Sequence, residues 1–152
     1  MCSRSSRACK RPAILVSACL LGHRTRYDGA SKPVRNLPLS DLVVVSFCPE
    51  QDGGLPTPRP VQMLSCGDGA AVLDGSAKVI NCEGVDVSEQ FIAGAKKALE
   101  LAKQHNASAA LVKGRSPSCG GYHVWVDGKL VNGTGVATAL LRRNGITCIE
   151  VN

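Results

Sequence analysis

The chain has 152 residues, of which 44% are hydrophobic and only 3% aromatic, so we expect one globular domain with a core of Val, Leu, Ile and Ala. No apolar run approaches the roughly 20 residues of a membrane-spanning helix, and the first 12 residues are basic and polar. These features argue against a membrane protein and against a secretory signal, and we expect a cytoplasmic protein.

The net charge of +6 is unevenly distributed along the chain. Residues 1–35 contain eight Lys and Arg against the single acid Asp28, whereas the remainder is nearly neutral. We expect residues 1–12 to form a flexible, solvated leader ahead of a single domain over 13–152. A basic arm that contacts nucleic acid or another polyanion is the alternative.

The first two predicted strands are continuous apolar runs, Ile14–Ala18 and Leu42–Phe47, which are typical of strands buried on both faces of a parallel sheet. The segment between them, Gly22–Pro38, contains Gly, Pro and Asn, and only Pro33–Leu37 could be helical. The next segment, Cys48–Pro60, contains four prolines and is predicted to be a loop.

The middle of the chain predicts a hairpin and a long helix. Ala71–Asp74 and Lys78–Asn81 flank an Asp-Gly-Ser-Ala sequence, which is a hairpin signal. Ser88–His105 has apolar residues repeating on one face and is the clearest helix, with Asp86 or Ser88 as its cap.

The last third predicts a third buried strand, a second hairpin around Asp127-Gly128, a helix and a final strand. These elements are, in order, Ala109–Val112, Tyr122–Val126 with Lys129–Val131, Thr134–Arg143, and Thr147–Val151. Strands that alternate with helices predict a single compact, Rossmann-like α/β domain with a mainly parallel sheet and β-hairpin insertions.

Three of the eight cysteines each end an apolar run and lead into Gly or Pro: Cys19, Cys48 and Cys119. Disulfides are rare in a reducing compartment, so some cysteines are expected to bind metal or to react. If the three strands are neighbours about 4.8 Å apart, their carboxyl ends bring the sulfurs together over one crevice. Three thiolates suit a soft metal or an iron–sulfur cluster, and are one short of four ligands.

The alternative for any of these thiols is a small buried hydrophobe, which is the usual role of a free cysteine. We assign that role to Cys66, Cys82 and Cys148.

Other residues near these cysteines could carry chemistry. Glu50 follows Cys48 in a constrained loop, where a carboxylate beside a metal site can exchange protons, although an exposed loop acid is the alternative. Ser116–Gly121 combines two hydroxyls, a thiol and two glycines whose N–H groups can approach an anion or a cluster. Gly133–Thr138 resembles a dinucleotide fingerprint only loosely, and we interpret it as a helix start.

Five motifs in this order resemble the thiouracil desulfidase family, formerly a domain of unknown function. They are S-A-C-L-L-G (17–22), R-Y-D-G (26–29), C-P-E (48–50), G-G-L-P-T-P-R (53–59) and S-P-S-C-G (116–120). The resemblance extends from about Ile14 to the end of the chain.

The resemblance implies a Rossmann-like fold and a 4Fe–4S cluster held by Cys19, Cys48 and Cys119, with one iron left without a protein ligand. It also implies non-redox removal of sulfur from a thiolated nucleobase or nucleoside, such as 4-thiouracil or 2-thiouracil. The products would be the oxo base, which is uracil for these two substrates, and hydrogen sulfide.

In that reaction, the resemblance makes Glu50 the acid/base carboxylate and a serine of the S-P-S-C motif, Ser116 or Ser118, its hydrogen-bonding partner. Candidate substrate contacts are Arg26, Tyr27 and Arg59, although the two arginines could instead fix their loops. Many members carry an acidic residue shortly after P-T-P-R-P, where this chain has Val61-Gln62-Met63.

Two other functions stay open from the sequence. One is an iron–sulfur sensor or carrier without catalysis. The other is a metal-free thiol hydrolase with Cys119 as its nucleophile, for which the sequence offers no evident orienting histidine.

Overall fold

The computed structural model describes residues 12–22, 28–29 and 41–151. The leader up to residue 11, the possible helix at Pro33–Leu37, and the candidate substrate contacts Arg26 and Tyr27 lie outside the described residues. Within those ranges, no helix has the length and apolar character needed to cross a membrane.

The strands in the described ranges form two four-stranded sheets. The first sheet is entirely parallel, with the order β2-β1-β5-β8. Its strands are β1 (Ala13–Ser17), β2 (Val43–Phe47), β5 (Ala109–Lys113) and β8 (Thr147–Val151). The second sheet is mixed, with the order β4-β3-β6-β7. Its strands are β3 (Gln62–Ser65), β4 (Lys78–Asn81), β6 (His123–Val126) and β7 (Lys129–Asn132).

The helices in the described ranges are α1 (Pro49–Asp52), α2 (Gly69–Leu73), α3 (Ser88–Gln104) and α4 (Val136–Arg143). The long helix α3 packs against both sheets, because the first half of its buried face contacts one core and the second half contacts the other. Phe91 and Ala95 belong to the core under the second sheet, whereas Ala98 and Ala102 belong to the core under the parallel sheet. The predicted α/β class, a single domain with a mainly parallel sheet, is confirmed.

Local sequence signals explain the start of helix α3 and the turn between β6 and β7. Asp86 accepts a hydrogen bond from the Ser88 N–H at 2.9 Å and so stabilises the start of α3, while the Ser88 hydroxyl accepts from the Val79 N–H. Asp127 and Gly128 both have positive φ, at 50° and 83°, as a two-residue turn between β6 and β7 requires.

Three predictions about local structure are wrong. Ala71–Asp74 does not form a strand, because Asp68 caps α2 by accepting from the Ala71 N–H at 3.2 Å, and β4 pairs with β3 instead. The proline-rich loop contains α1, since proline is compatible with the first turn of a helix. The run predicted as buried on both faces is the edge strand β2, where Val43 and Val44 are each 38% exposed.

Candidate active site

The three strand-end cysteines come together at one edge of the parallel sheet. β1 lies between β2 and β5, so the carboxyl ends of these three parallel strands are adjacent. Cys19 lies in a short 3₁₀ turn after β1, Cys48 directly follows β2, and Cys119 lies in the loop after β5. All three line one cavity of about 440 Å³.

The environment of the Cys119 thiol opposes ionisation unless a metal takes the place of its proton. The pKa of Cys119 is raised to about 12, mainly because burial desolvates the thiolate. Negative charge on Cys19 and Cys48 also raises this pKa, so the three thiols lie within electrostatic reach of one another, whereas hydrogen bonds from Ser17 and Ser118 lower it. Such a thiol is a poor nucleophile by itself, which argues against a metal-free hydrolase.

The donor set at this edge fits an iron–sulfur cluster. In the part of the chain that is described, no group of three or more His, Cys, Asp and Glu side chains is placed to hold one metal ion. The three thiols nevertheless share one cavity, whose volume is in the range of small-molecule and cofactor sites. Thiolates are the usual ligands of iron–sulfur clusters, so Cys19, Cys48 and Cys119 fit that group.

The Glu50 carboxylate lines the same cavity and is held from two sides. Arg59 donates to Oε1 from Nε at 3.0 Å and from Nη2 at 2.8 Å, and the Ser118 hydroxyl donates to Oε2 at 2.9 Å. The side chains of Arg59 and Glu50 are only 2% and 12% exposed, so this ion pair is largely shielded from water. A carboxylate fixed in this way beside the thiols can accept or donate a proton at a defined place.

The structure distinguishes the two serines that the sequence left equivalent. Ser118 contacts the Glu50 carboxylate, whereas Ser116 Oγ accepts hydrogen bonds from the N–H groups of Ser118 and Cys119, at 3.2 and 3.1 Å. The two serine oxygens are 3.0 Å apart. The single Ser118 hydroxyl proton can go to Glu50 Oε2 at 2.9 Å or to Cys119 Sγ at 3.7 Å, and in either case Ser116 is left as the donor to Ser118.

Arg59 is fixed by its own loop as well as by Glu50. Its Nη1 donates to the Pro56 carbonyl at 3.1 Å and to Thr57 Oγ1 at 2.8 Å. The sequence left open whether Arg59 binds substrate or fixes its loop, and these contacts show that it fixes both the loop and the carboxylate.

The loop that carries Cys119 rests on the first turn of α4. The N–H groups of Val136 and Ala137 donate to the carbonyls of Pro117 and Ser118, at 2.9 and 2.8 Å. The buried Thr138 hydroxyl donates to the Cys119 carbonyl at 2.8 Å. The predicted helix start is confirmed, and it also supports the cysteine loop, a role that no local sequence signal indicates.

Replacing Gly135 with alanine should disturb this contact, because an added Cβ would lie 2.4 Å from the Ser118 carbonyl carbon. We expect a loss of about 1–3 kcal/mol of unfolding free energy and a reduced capacity for iron. Chemical denaturation and iron analysis after anaerobic reconstitution measure the two effects. Gly145→Ala is the control, since Gly145 has open space around it and only its positive φ is strained; equal iron loss in both variants would contradict the assignment.

Among the cavity residues that the sequence did not predict as site residues are Val61, Gln62 and Trp125. They belong to the second sheet or lie at its edge, and that sheet was not predicted as a unit. Among the remaining cysteines, the predicted burial is confirmed for Cys148 but is wrong for Cys66 and Cys82, which are exposed.

Comparisons with known proteins agree with the family that the motifs predicted. A family model described as 2-thiouracil desulfurase matches residues 14–152. The uncharacterized protein YbbK of Bacillus subtilis (strain 168) is 43% identical over 145 residues, which cover 91% of this chain and 95% of YbbK. A solved structure of the 4Fe–4S-dependent thiouracil desulfidase TudS (DUF523Vcz) has a TM-score of 0.78 and 38% identity, covering 92% of this chain and 91% of TudS. The family model and both relatives extend over nearly the whole chain, and the protein therefore belongs to the 2-thiouracil desulfurase family.

Proposed function

We propose that this protein removes sulfur from thiolated pyrimidines such as 4-thiouracil or 2-thiouracil, giving the oxo base and hydrogen sulfide. The observation that carries this proposal is the Glu50 carboxylate, which Arg59 and Ser118 fix in the cavity that Cys19, Cys48 and Cys119 line. Family membership and the likeness to TudS support the same reaction.

In this proposal, Cys19, Cys48 and Cys119 would hold a 4Fe–4S cluster, and one iron would lack a protein ligand. When bound, the cluster would supply a Lewis acid that polarises the carbon–sulfur bond and accepts the sulfur. No disulfide links the described cysteines to one another, which suits both this role and the reducing cytoplasm in which we place the protein.

The chain's own residues move the protons. Water adds to the ring carbon that carries sulfur, and the Glu50 carboxylate takes the proton that the water loses. Ser118 holds Oε2 in place, and Arg59 holds Oε1, so the carboxylate meets the water in one orientation. Glu50 gives this proton to the departing sulfur, then takes the remaining hydroxyl proton as the carbonyl forms, and that second proton completes hydrogen sulfide. The thiocarbonyl and water become a carbonyl and hydrogen sulfide, with no electron gained or lost.

An iron–sulfur sensor or carrier would need a cluster but no oriented carboxylate. Measuring whether the protein turns over a thiopyrimidine therefore distinguishes an enzyme from a sensor. Anaerobically purified protein is incubated with 4-thiouracil and no reductant, and absorbance of the substrate and free sulfide are followed together. We expect the thiouracil absorbance to fall as an equal amount of sulfide appears. Protein that carries a cluster but releases no sulfide from a panel of thiopyrimidines would contradict the enzyme and favour the sensor.

Arg59→Lys should lower kcat without changing KM. Lysine is a single point charge and cannot hold Glu50, Pro56 and Thr57 together as the guanidinium does. Misplacing the carboxylate is expected to reduce kcat by about 10- to 100-fold. Steady-state kinetics at matched iron content measure this, and a rise in KM with unchanged kcat would instead make Arg59 a substrate contact.

A further inference from the structure

The side chain of Gln62 is a buried amide that has no hydrogen-bond partner within the described ranges. Gln62 is 9% exposed, is the first residue of β3, and lines the cavity that contains Glu50 and the three thiols. Along β3, Gln62 and Leu64 are buried while Met63 between them is exposed, so Gln62 lies on the inner face of the strand. Buried amides are rarely left unsatisfied in proteins, so we expect a partner inside the cavity.

The hydrogen-bonding groups of an amide limit which chemical groups can be its partner. The Gln side chain presents an N–H donor and a carbonyl acceptor side by side, whereas a carboxylate at the same place could only accept. In both 4-thiouracil and 2-thiouracil, the N3–H lies between the thiocarbonyl and the remaining carbonyl. One edge of either base therefore offers an N–H donor beside a carbonyl acceptor, which matches an amide through two parallel hydrogen bonds, as glutamine matches adenine.

We propose that Gln62 selects the substrate by pairing its amide with the N3–H and the unreacted carbonyl of the pyrimidine, an inference that rests on the proposed function. This pairing leaves the thiocarbonyl on the other side of N3, free to face the cysteine thiols. Val61 and Trp125, both apolar, line the same cavity and provide surface for the faces of the ring.

The test uses two variants and one matched control in the full-length, cluster-loaded protein. Gln62→Leu removes both hydrogen bonds at similar size, and Gln62→Glu keeps the shape but removes the donor. Met63→Leu is the control, because Met63 is on the same strand but faces outward. Trp125 is the only tryptophan of the chain, so its fluorescence reports the binding of uracil, the product, without turnover.

We expect both Gln62 variants to weaken uracil binding, and to raise KM for 4-thiouracil, by about 10- to 100-fold at unchanged iron content. The wild type should discriminate strongly against 3-methyl-4-thiouracil, which lacks the N3–H, and Gln62→Leu should lose that discrimination. Unchanged KM and unchanged discrimination in the variants of an active enzyme would overturn the role of Gln62 alone. A wild-type protein that neither binds uracil nor releases sulfide would instead overturn the proposed function.

Discussion

Replacing Cys119 with alanine should abolish both iron binding and sulfide release. The Cys119 thiol is buried, and its loop is tied to α4 by hydrogen bonds, so no neighbouring side chain can replace it easily. With Cys119 removed, the proposed cluster would keep only two protein ligands, which is too few to hold it. Iron and labile sulfide per chain after anaerobic reconstitution, together with sulfide release from 4-thiouracil, are expected to fall to background. Cys19→Ala and Cys48→Ala should behave in the same way.

The chain offers matched controls for this result. Cys66 and Cys82 are free and exposed and do not line the cavity that holds the other three thiols. Alanine at either position should leave iron content and activity at the wild-type level. A Cys119→Ala protein that retains full iron, or a Cys66→Ala protein that loses it, would contradict the assignment of the cluster ligands.

Glu50→Gln should reduce kcat by about 10²- to 10⁴-fold, the range expected when an acid/base group is removed. Glutamine has nearly the same shape, and its carbonyl can still accept from Arg59, so the cavity should keep its form. The amide cannot take a proton from water, and the chemical step is therefore lost. Single-turnover sulfide release, measured on protein with wild-type iron content, isolates this step from cluster loading.

Glu89→Gln is the control for this variant, because Glu89 is an exposed acid in the first turn of α3. It should turn over like the wild type. If Glu50→Gln also kept wild-type single-turnover rates, Glu50 would have no part in proton transfer.

The convergence of the three cysteines could be predicted from the sequence because it depends on regular structure. Apolar runs before Cys19, Cys48 and Cys119 indicated parallel strands, and parallel neighbours end at one edge. The flanking motifs then predicted the family, which the comparisons confirm. The long helix and the Asp127-Gly128 hairpin were predictable for the same reason, since each has a clear period or turn signal.

The second sheet was harder to predict because β3 and β4 are only four residues long and pair across an intervening helix. Strands this short give little periodicity, and the apolar residues of α2 resembled a strand beside a turn.

The positions of the remaining site residues depend on tertiary contacts, which sequence spacing does not reveal. Ser116 and Ser118 are equally plausible by spacing, and only the orientation of the loop places Ser118 on Glu50. In the sequence, Gln62 was notable only because it lies in the segment Val61-Gln62-Met63, where many family members have an acidic residue. Its burial in the cavity depends on the packing of β3 beside the cysteine edge, which no local pattern encodes.

We propose that this cavity exchanges sulfur for the oxygen of water without redox chemistry. The most direct measurement is mass spectrometry of uracil formed from 4-thiouracil in water enriched in the heavy oxygen isotope, with sulfide counted in the same anaerobic sample and no reductant added. We predict one labelled oxygen in each uracil and one sulfide released for each base. Unlabelled uracil, or product that forms only when a reductant is supplied, would contradict this mechanism.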